Sequence, residues 1–187
     1  MQGATPAGAL DPAPPLHPER DRYDVASRLF HWVFAAGIIY ASVVGYLLSE
    51  LTDRSWHERL SQLNMSIATV MLVLFPLRLG WKLIRTEPAA LSGVVEWQRQ
   101  VAHAVHGVLY IVTAVVLASG FLMVPQGYSC FGLFWIPTPF EKGALTAAFF
   151  VVHRIACALL ASLVLLHVLA VIKHQLSGTA RVLRRML

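Results

Sequence analysis

The fold is decided by residues 151–174, which read VVHRIACALLASLVLLHVLAVIKH. From Ile155 to Ile172 this stretch contains no Asp, Glu, Lys or Arg, and its length approaches the roughly 20 apolar residues that a bilayer-spanning helix needs. Three other stretches are free of these four residue types: residues 29–48, 60–77 and 101–139. The sequence therefore predicts an all-α bundle of four transmembrane helices.

The composition of the whole chain agrees with a membrane protein. Of its 187 residues, 57% are hydrophobic and 13% are charged, whereas roughly 25% of a soluble domain is charged. This balance excludes an ordinary soluble globule and a disordered chain. The net charge of +5 comes from basic residues that flank the apolar spans. Because they form no stripe with interleaved aromatic residues, we expect no nucleic-acid partner.

The chain divides into a short tail and one membrane domain. Residues 1–22 are rich in Ala, Pro and Gly and lack the pattern of a secretory signal, so we expect a flexible cytoplasmic tail. Residues 23–187 form the domain. Its helices are expected at about residues 29–48, 60–81, 100–124 and 145–174, with a loop at 125–142. The aromatic residues of that loop are typical of the membrane interface.

The distribution of basic residues predicts the topology. Eleven of the 15 Lys and Arg residues lie in the tail, in the connection between the second and third helices, and at the C-terminus. The other two loops hold the remaining four: Arg54, Arg59, Lys142 and Arg154. By the positive-inside rule, both termini are expected in the cytoplasm. The predicted location is the bacterial inner membrane, crossed several times.

Six of the eight histidines lie in or at the ends of the predicted helices: His31, His103, His106, His153, His167 and His174. Ionisable residues at membrane depth are costly, so they usually face the bundle interior and serve a function. The predicted topology brings five of the six to the cytoplasmic half. His153 alone is expected near the outer face.

The spacing of two histidines on the last helix suggests a cofactor. His153 and His167 are 14 residues apart, which is about four helical turns and about 21 Å along the axis, on nearly the same face. This spacing suits two ligands for two stacked cofactors. Bis-histidine haem ligation in an apolar four-helix core fits, with arginines pairing the haem propionates. Since Cys130 and Cys157 form no attachment motif, any haem would be held non-covalently.

Several motifs, in order along residues 22–187, resemble the bacterial cytochrome b561 family. They are RLFHW at 28–32, LRLGW at 77–81, WQRQVAHAVHGVLY at 97–110, GFLMV at 120–124, FGLF at 131–134 with Ile136 and Pro137, HVLAVIKH at 167–174, and VLRRML at 182–187. Members are four-helix b-type cytochromes that exchange electrons with quinone, and the family includes superoxide oxidases. The resemblance therefore implies haem b, iron binding and electron transport.

Carried over position by position, the resemblance implies an inner haem site. His31 and His167 match the axial ligands of the cytoplasmic-side haem b, with Arg28 beside them as a further cofactor-binding residue. Three more histidines would lie around this haem and a quinone headgroup: His103, His106 and His174.

The outer haem position departs from the family pattern. His153 matches one outer ligand, but the matching position on the second helix is Asn64, and an amide is a poor ligand for iron. Four residues later, where the family often has glycine, the chain has Ala68. We therefore expect one haem per chain, with His153 left to bond Asn64, a water molecule or a lipid-facing group.

Two functions follow from these expectations. The first is a quinone-linked electron-transfer protein, and the sequence leaves open whether it is an enzyme such as a superoxide oxidase. Its outer loops carry four basic and four acidic residues, so they create no net field to attract superoxide. The second is an accessory cytochrome subunit of a larger respiratory or photosynthetic complex. A histidine-lined metal transporter is disfavoured because intramembrane carboxylates and broken helices are missing from the pattern.

Overall fold

The computed structural model describes residues 22–88, 94–177 and 183–187. Four long helices dominate it: α1 (Val25–Glu50), α2 (Arg54–Ile84), α3 (Glu96–Leu122) and α4 (Ala144–Leu176). Each is long and apolar enough to cross a membrane, which confirms the predicted four-helix fold. Two short strands, β1 (Tyr128–Cys130) and β2 (Phe134–Ile136), and a 3-10 turn (Leu183–Arg185) complete the chain. The predicted tail, except for Arg22, lies outside the described residues.

The helix ends are set by side-chain caps. Asp24 caps α1 by accepting a hydrogen bond from the Ser27 backbone N–H at 2.9 Å. Asp53 caps α2 in the same way through Ser55 and Trp56. The expected loop before the second helix is therefore too long, because α2 begins at Arg54. An ion pair between Arg54 and Glu58, 2.9 Å long, spans the first turn of this polar extension, a spacing that supports helix.

The helices pack in sequence order around a small core. Close backbone packing joins α1 to α2, α2 to α3 and α3 to α4, whereas the described parts of α1 and α4 have no comparable contact. Phe34, Met71 and Leu117 form the buried cluster. Gly37 lets α2 approach, because a Cβ there would lie 2.5 Å from the Met71 sulfur. Most other apolar side chains are exposed on the bundle surface, as expected of helices whose solvent is lipid.

A β-hairpin lies in the connection between α3 and α4. Its first strand packs against α2. Its strands pair antiparallel, with Ser129 opposite Trp135. The Phe131 backbone N–H donates to the buried Ser66 hydroxyl at 2.8 Å, and the Tyr128 and Thr69 hydroxyls are hydrogen-bonded to each other. The sequence predicted only a loop here, because strands of three residues are too short to show the alternation that marks a β-strand.

The two ends of the domain meet on one side of the bundle. The Tyr23 backbone N–H donates to the Arg185 carbonyl at 3.2 Å, as expected when the chain crosses the membrane four times. We call this side the terminal end and the opposite side, which carries the hairpin, the hairpin end. Which of the two faces the cytoplasm stays a prediction from the charge distribution.

Candidate functional site: a histidine cluster and its cavity

Three imidazoles from three helices gather near the terminal end. The ring centroids of His106 on α3 and His167 on α4 are 5.3 Å apart, edge to face. His31 on α1 lines the same cavity as His106. Because α1 and α4 lack close backbone packing, this cluster brings together two helices that the rest of the bundle holds apart. The assignment of His31 and His167 to one haem site stays a prediction from the sequence.

A small cavity of about 90 Å³ adjoins the cluster. Its lining includes His31, His103 and His106 together with Arg78 and Tyr110. His103 and His106 therefore share a site with His31, as the resemblance implies. His174 does not line this cavity and lies half-buried in the last turn of α4.

Cations dominate the α2 side of the cavity. The Arg78 guanidinium lies 4.5 Å from the Phe34 ring centroid, and its Nε donates to the Tyr110 hydroxyl at 3.2 Å. The Lys82 ammonium lies 4.3 Å from the Tyr110 ring centroid. Arg78, Lys82 and Arg85 have no ion-pair partner among the described residues, where the salt bridges are Arg54–Glu58 and Arg99–Glu96. The cavity lining holds these three cations and one acidic residue, Glu87, so it presents net positive charge to an anionic group.

The sequence prediction contains Arg78 only as part of the LRLGW motif, and it did not name Arg78, Lys82 or Arg85 as site residues. A signal was present: positions 78, 82 and 85 are four and seven apart, the spacing of one helix face. It also missed Met186, which lines the cavity from the C-terminal turn. No local pattern near Met186 indicates a contact with α1, because the residues it joins are more than 150 positions away.

The residues at the terminal end fit a haem. The Nε atoms of Arg28 and Arg85 are buried without a hydrogen-bond partner, so their N–H groups can donate to new acceptor oxygens such as those of propionates. In the described residues, no three or more His, Cys, Asp or Glu side chains are grouped to hold a bare metal ion. A haem makes a smaller demand, because the porphyrin supplies four nitrogens and the protein supplies only the axial ligands.

The hairpin end does not fit a second haem. The His153 Nδ1 lies 3.0 Å from the Val116 carbonyl oxygen and 3.3 Å from the Ser119 hydroxyl. The Nε2 atom lies 3.4 Å from the Cys157 sulfur. Both ring nitrogens are therefore engaged by protein. Asn64, at the position expected for the partner ligand, has a buried side-chain oxygen with no hydrogen-bond partner.

This geometry corrects one expectation of the sequence analysis. His153 was expected to bond Asn64, a water molecule or a lipid-facing group, and instead it bonds α3. The physical reason is Gly120, where a Cβ would lie 2.9 Å from the His153 ring. The missing side chain leaves room for the imidazole against α3, within reach of the Val116 carbonyl.

The fold and the histidine cluster define a class of membrane cytochrome. The sequence model of the prokaryotic cytochrome b561 family matches residues 22–187, and the chain belongs to this family. Membership implies b-type haem and electron transfer. The chain is also similar to cytochrome b561 homolog 2 of Escherichia coli (strain K12), with 26% identity over 172 residues, covering 89% of this chain and 92% of that protein.

Proposed function

We propose that this protein carries one haem b at its terminal end and exchanges electrons with quinone in the bacterial inner membrane. The observation that carries the proposal is the arrangement of His31 and His106 on one cavity, with His167 edge to face with His106, on helices of which α1 and α4 lack close backbone packing. His31 and His167 are the proposed axial ligands. When bound, the haem supplies one-electron redox chemistry.

The remaining residues of the site bind and orient. The unpaired Nε atoms of Arg28 and Arg85, with the Arg78 and Lys82 cations, are suited to hold the propionates. An imidazole can hydrogen-bond a quinone oxygen and exchange a proton near neutral pH. Among the quinone candidates, His103 and His106 line the cavity and His174 does not, so we assign the quinone contact to the first two.

We infer that the terminal end faces the cytoplasm. Among the described residues this end carries nine Lys or Arg side chains and three Asp or Glu side chains, while the hairpin end carries four of each. The positive-inside rule then orients the domain and its tail. The same charge balance gives the hairpin end no electrostatic means of collecting superoxide.

A visible spectrum of the purified protein tests the proposal. We expect a low-spin b-type difference spectrum and one haem per polypeptide, with haem reduction coupled to a short-chain quinol. His103→Ala should slow the quinol reaction without changing the spectrum, and His174→Ala is the matched control that should leave both unchanged. A preparation with no low-spin haem, or with two haems per chain, contradicts the proposal.

One observation favours a second function, that of an accessory cytochrome subunit. Because both nitrogens of His153 are hydrogen-bonded to protein atoms, we propose no redox group at the hairpin end. An electron donor on that side would then have no nearby cofactor to reduce. A partner chain with its own cofactor would remove this gap. Co-purification of a second chain in mild detergent supports this function, and full quinol turnover by an isolated monomer argues against it.

A further inference from the structure

The chain between α3 and α4 carries no charge. Residues 123–140 contain no Asp, Glu, Lys or Arg, although these residue types are the ones mostly found where a chain is exposed to water. The hairpin in this connection also has an apolar tip, where the side chains of Phe131, Leu133, Phe134 and Trp135 are all exposed. A contiguous apolar surface marks a contact with lipid or with a protein partner. The position of the tip relative to the membrane indicates which of the two it contacts.

Charged residues mark where α1 and α2 leave the membrane at the hairpin end. Residues 29–49 of α1 carry no charge and span about 32 Å of helix, which matches a hydrocarbon thickness of about 30 Å. The first charged residue after them is Glu50. Because Gly37 packs against Met71 of the antiparallel α2, Glu50 lies level with Glu58 to within about one turn. We call the level of Glu50 and Glu58 the charged plane.

The hairpin lies on the membrane side of the charged plane. It is hydrogen-bonded to α2 at Ser66, which accepts from the Phe131 backbone N–H at 2.8 Å, and at Thr69, which is bonded to the Tyr128 hydroxyl. Ser66 and Thr69 follow Glu58 in the sequence, by about 12 and 16 Å along the helix axis. The tip of the hairpin therefore lies at the depth of the acyl chains.

The end of α3 leaves space for the hairpin at this depth. Leu117 packs with Phe34 and Met71 in the core, so Leu122, the last residue of α3, lies level with Ser66 of the antiparallel α2 to within about one turn. The charged plane is about 12 Å beyond this level. The hairpin thus occupies the part of the bundle that about two further turns of α3 would fill.

Backbone groups at the tip are hydrogen-bonded within the protein, as membrane depth requires. The Leu133 N–H donates to the Cys130 carbonyl at 2.9 Å and closes the tip, while the Phe131 N–H donates to Ser66. Phe131 has a left-handed backbone conformation, with φ of 49°, which is uncommon for a bulky residue. In this conformation its N–H contacts α2 and its ring stays exposed.

One charged residue of α4 lies at a similar depth and extends back towards the charged plane. Arg154 lies about 15 Å along the axis from Ala144, where α4 begins. Its guanidinium lies 5.9 Å from the ring centroid of Phe150, one turn nearer the hairpin end. Long basic side chains extend in this way from apolar surroundings to the lipid headgroups. Arg154 is therefore compatible with lipid around the hairpin.

We propose that the hairpin, residues 128–136, is a re-entrant segment that inserts its tip among the acyl chains of the hairpin-end leaflet, with Ser66 as its anchor on α2. Lipid is the occupant that the depth favours, because the exposed surface of α2 next to Ser66 is also apolar, at Leu63 and Val70. The tip side chains contact lipid, and the hydrogen bonds of the strands and of Ser66 keep the backbone paired. The inference goes beyond the proposed electron-transfer function.

Spin labelling of the full-length protein in phosphatidylcholine nanodiscs tests the depth of the tip. A nitroxide on Leu133→Cys reports the tip, because Leu133 is 79% exposed, and Cys130→Ala with Cys157→Ala removes the native thiols. Oxygen concentrates in hydrocarbon and a nickel chelate in water, so the ratio of their collision rates with the nitroxide rises with depth. Two exposed positions of α2 give the references: Val73→Cys for hydrocarbon and Trp56→Cys for water.

We expect the collision ratio at Leu133→Cys to lie nearer the Val73→Cys value than the Trp56→Cys value. A ratio equal to the aqueous reference would overturn the insertion of the tip. Low collision rates with both reagents would also overturn it, because a protein partner and not lipid would then cover the tip.

The anchor is tested in the same background. Ser66→Ala removes the acceptor of the Phe131 N–H and should shift the ratio at Leu133→Cys towards the aqueous value. Ser162→Ala is the matched control, since the Ser162 hydroxyl donates to the Ala158 carbonyl of its own helix, and it should leave the ratio unchanged. An unchanged ratio in Ser66→Ala would overturn the anchor. These measurements do not depend on haem or quinone turnover, so their failure leaves the proposed electron-transfer function standing.

Discussion

The imidazole of His153 on α4 lies 3.0 Å, through its Nδ1, from the carbonyl oxygen of Val116 on α3. A ring hydrogen-bonded on one nitrogen can still bind a metal through the other. Here the second nitrogen lies 3.4 Å from the Cys157 sulfur on the same helix. At this position the imidazole joins α3 to α4 through a hydrogen bond, whereas near the terminal end the His106 and His167 rings lie edge to face, 5.3 Å apart.

The substitution Asn64→His tests this difference between the two ends. It restores a ligand type at the expected position on α2, but His153 stays bonded to α3. We therefore expect haem per polypeptide, measured as the pyridine haemochrome, to remain at one. Asn64→Ala should leave the haem count equally unchanged. A second haem in Asn64→His would show that His153 leaves the Val116 carbonyl when a partner ligand is supplied.

Gly120 provides a test of the contact between α3 and α4. A Cβ in Gly120→Ala would lie 2.9 Å from the His153 ring, so we expect a loss of about 1–3 kcal/mol in stability from overpacking. Gly45→Ala is the matched control, since no atom lies within 4 Å of a Cβ there. It should stabilise α1 by roughly 0.5–1 kcal/mol. Thermal unfolding in detergent measures both, and equal shifts would contradict the close contact.

The structural features that follow from long, regular sequence patterns were predicted well. Each of the four apolar stretches extends over enough residues to fix a helix, and His31 and His167 lie on the first and fourth helices as expected. The start of α2 was predicted too late because residues 54–59 are polar. Polar residues at this point indicate only that the chain lies outside the bilayer. The helix itself, capped by Asp53, extends through these residues.

Contacts between distant, non-periodic residues could not be predicted. The bond from Trp32 to Met186 joins residues 154 positions apart, and each lies in a motif that indicates nothing about the other. The His153 bond to Val116 depends on the Gly120 gap, which requires the relative rotation of α3 and α4. Such rotations are set by packing between helices, and residue spacing within one helix carries no information about them.

Removal of the proposed axial ligand on α1 tests the terminal-end site. In His31→Ala the iron would lose one of its two axial imidazoles. We expect at least about tenfold weaker haem retention, since even residues that only orient a metal ligand change affinity about 10–100-fold. His57→Ala is a matched control, because His57 is exposed in the first turns of α2, at the hairpin end. An unchanged low-spin spectrum in His31→Ala would refute the ligand assignment.

The last prediction concerns acid stability and rests on Asp24, just before α1. Burial raises the pKa of the Asp24 carboxyl, but hydrogen bonds from Ser27 and Trp81 outweigh it and hold the pKa below its ordinary value of 3.8. The Trp81 indole N–H donates to this carboxylate at 3.0 Å, so Asp24 both caps α1 and joins it to α2. A depressed pKa stabilises the fold above the unfolded-state value, and this stabilisation is lost as pH falls through the folded-state value.

Asp24→Asn keeps a capping oxygen but removes the charge. We expect it to cost about 1 kcal/mol at pH 7, because a charged acceptor gives a stronger hydrogen bond than a neutral one, and to cost progressively less as the pH falls below about 4. The melting temperatures of the two proteins should therefore converge in acid. Asp53→Asn is the comparison: its carboxyl also has a lowered pKa, from hydrogen bonds with Trp56 and Ser55, but it bonds only its own helix. A constant difference between wild type and Asp24→Asn from pH 7 to pH 3 would show that the charge of Asp24 does not hold α1 against α2.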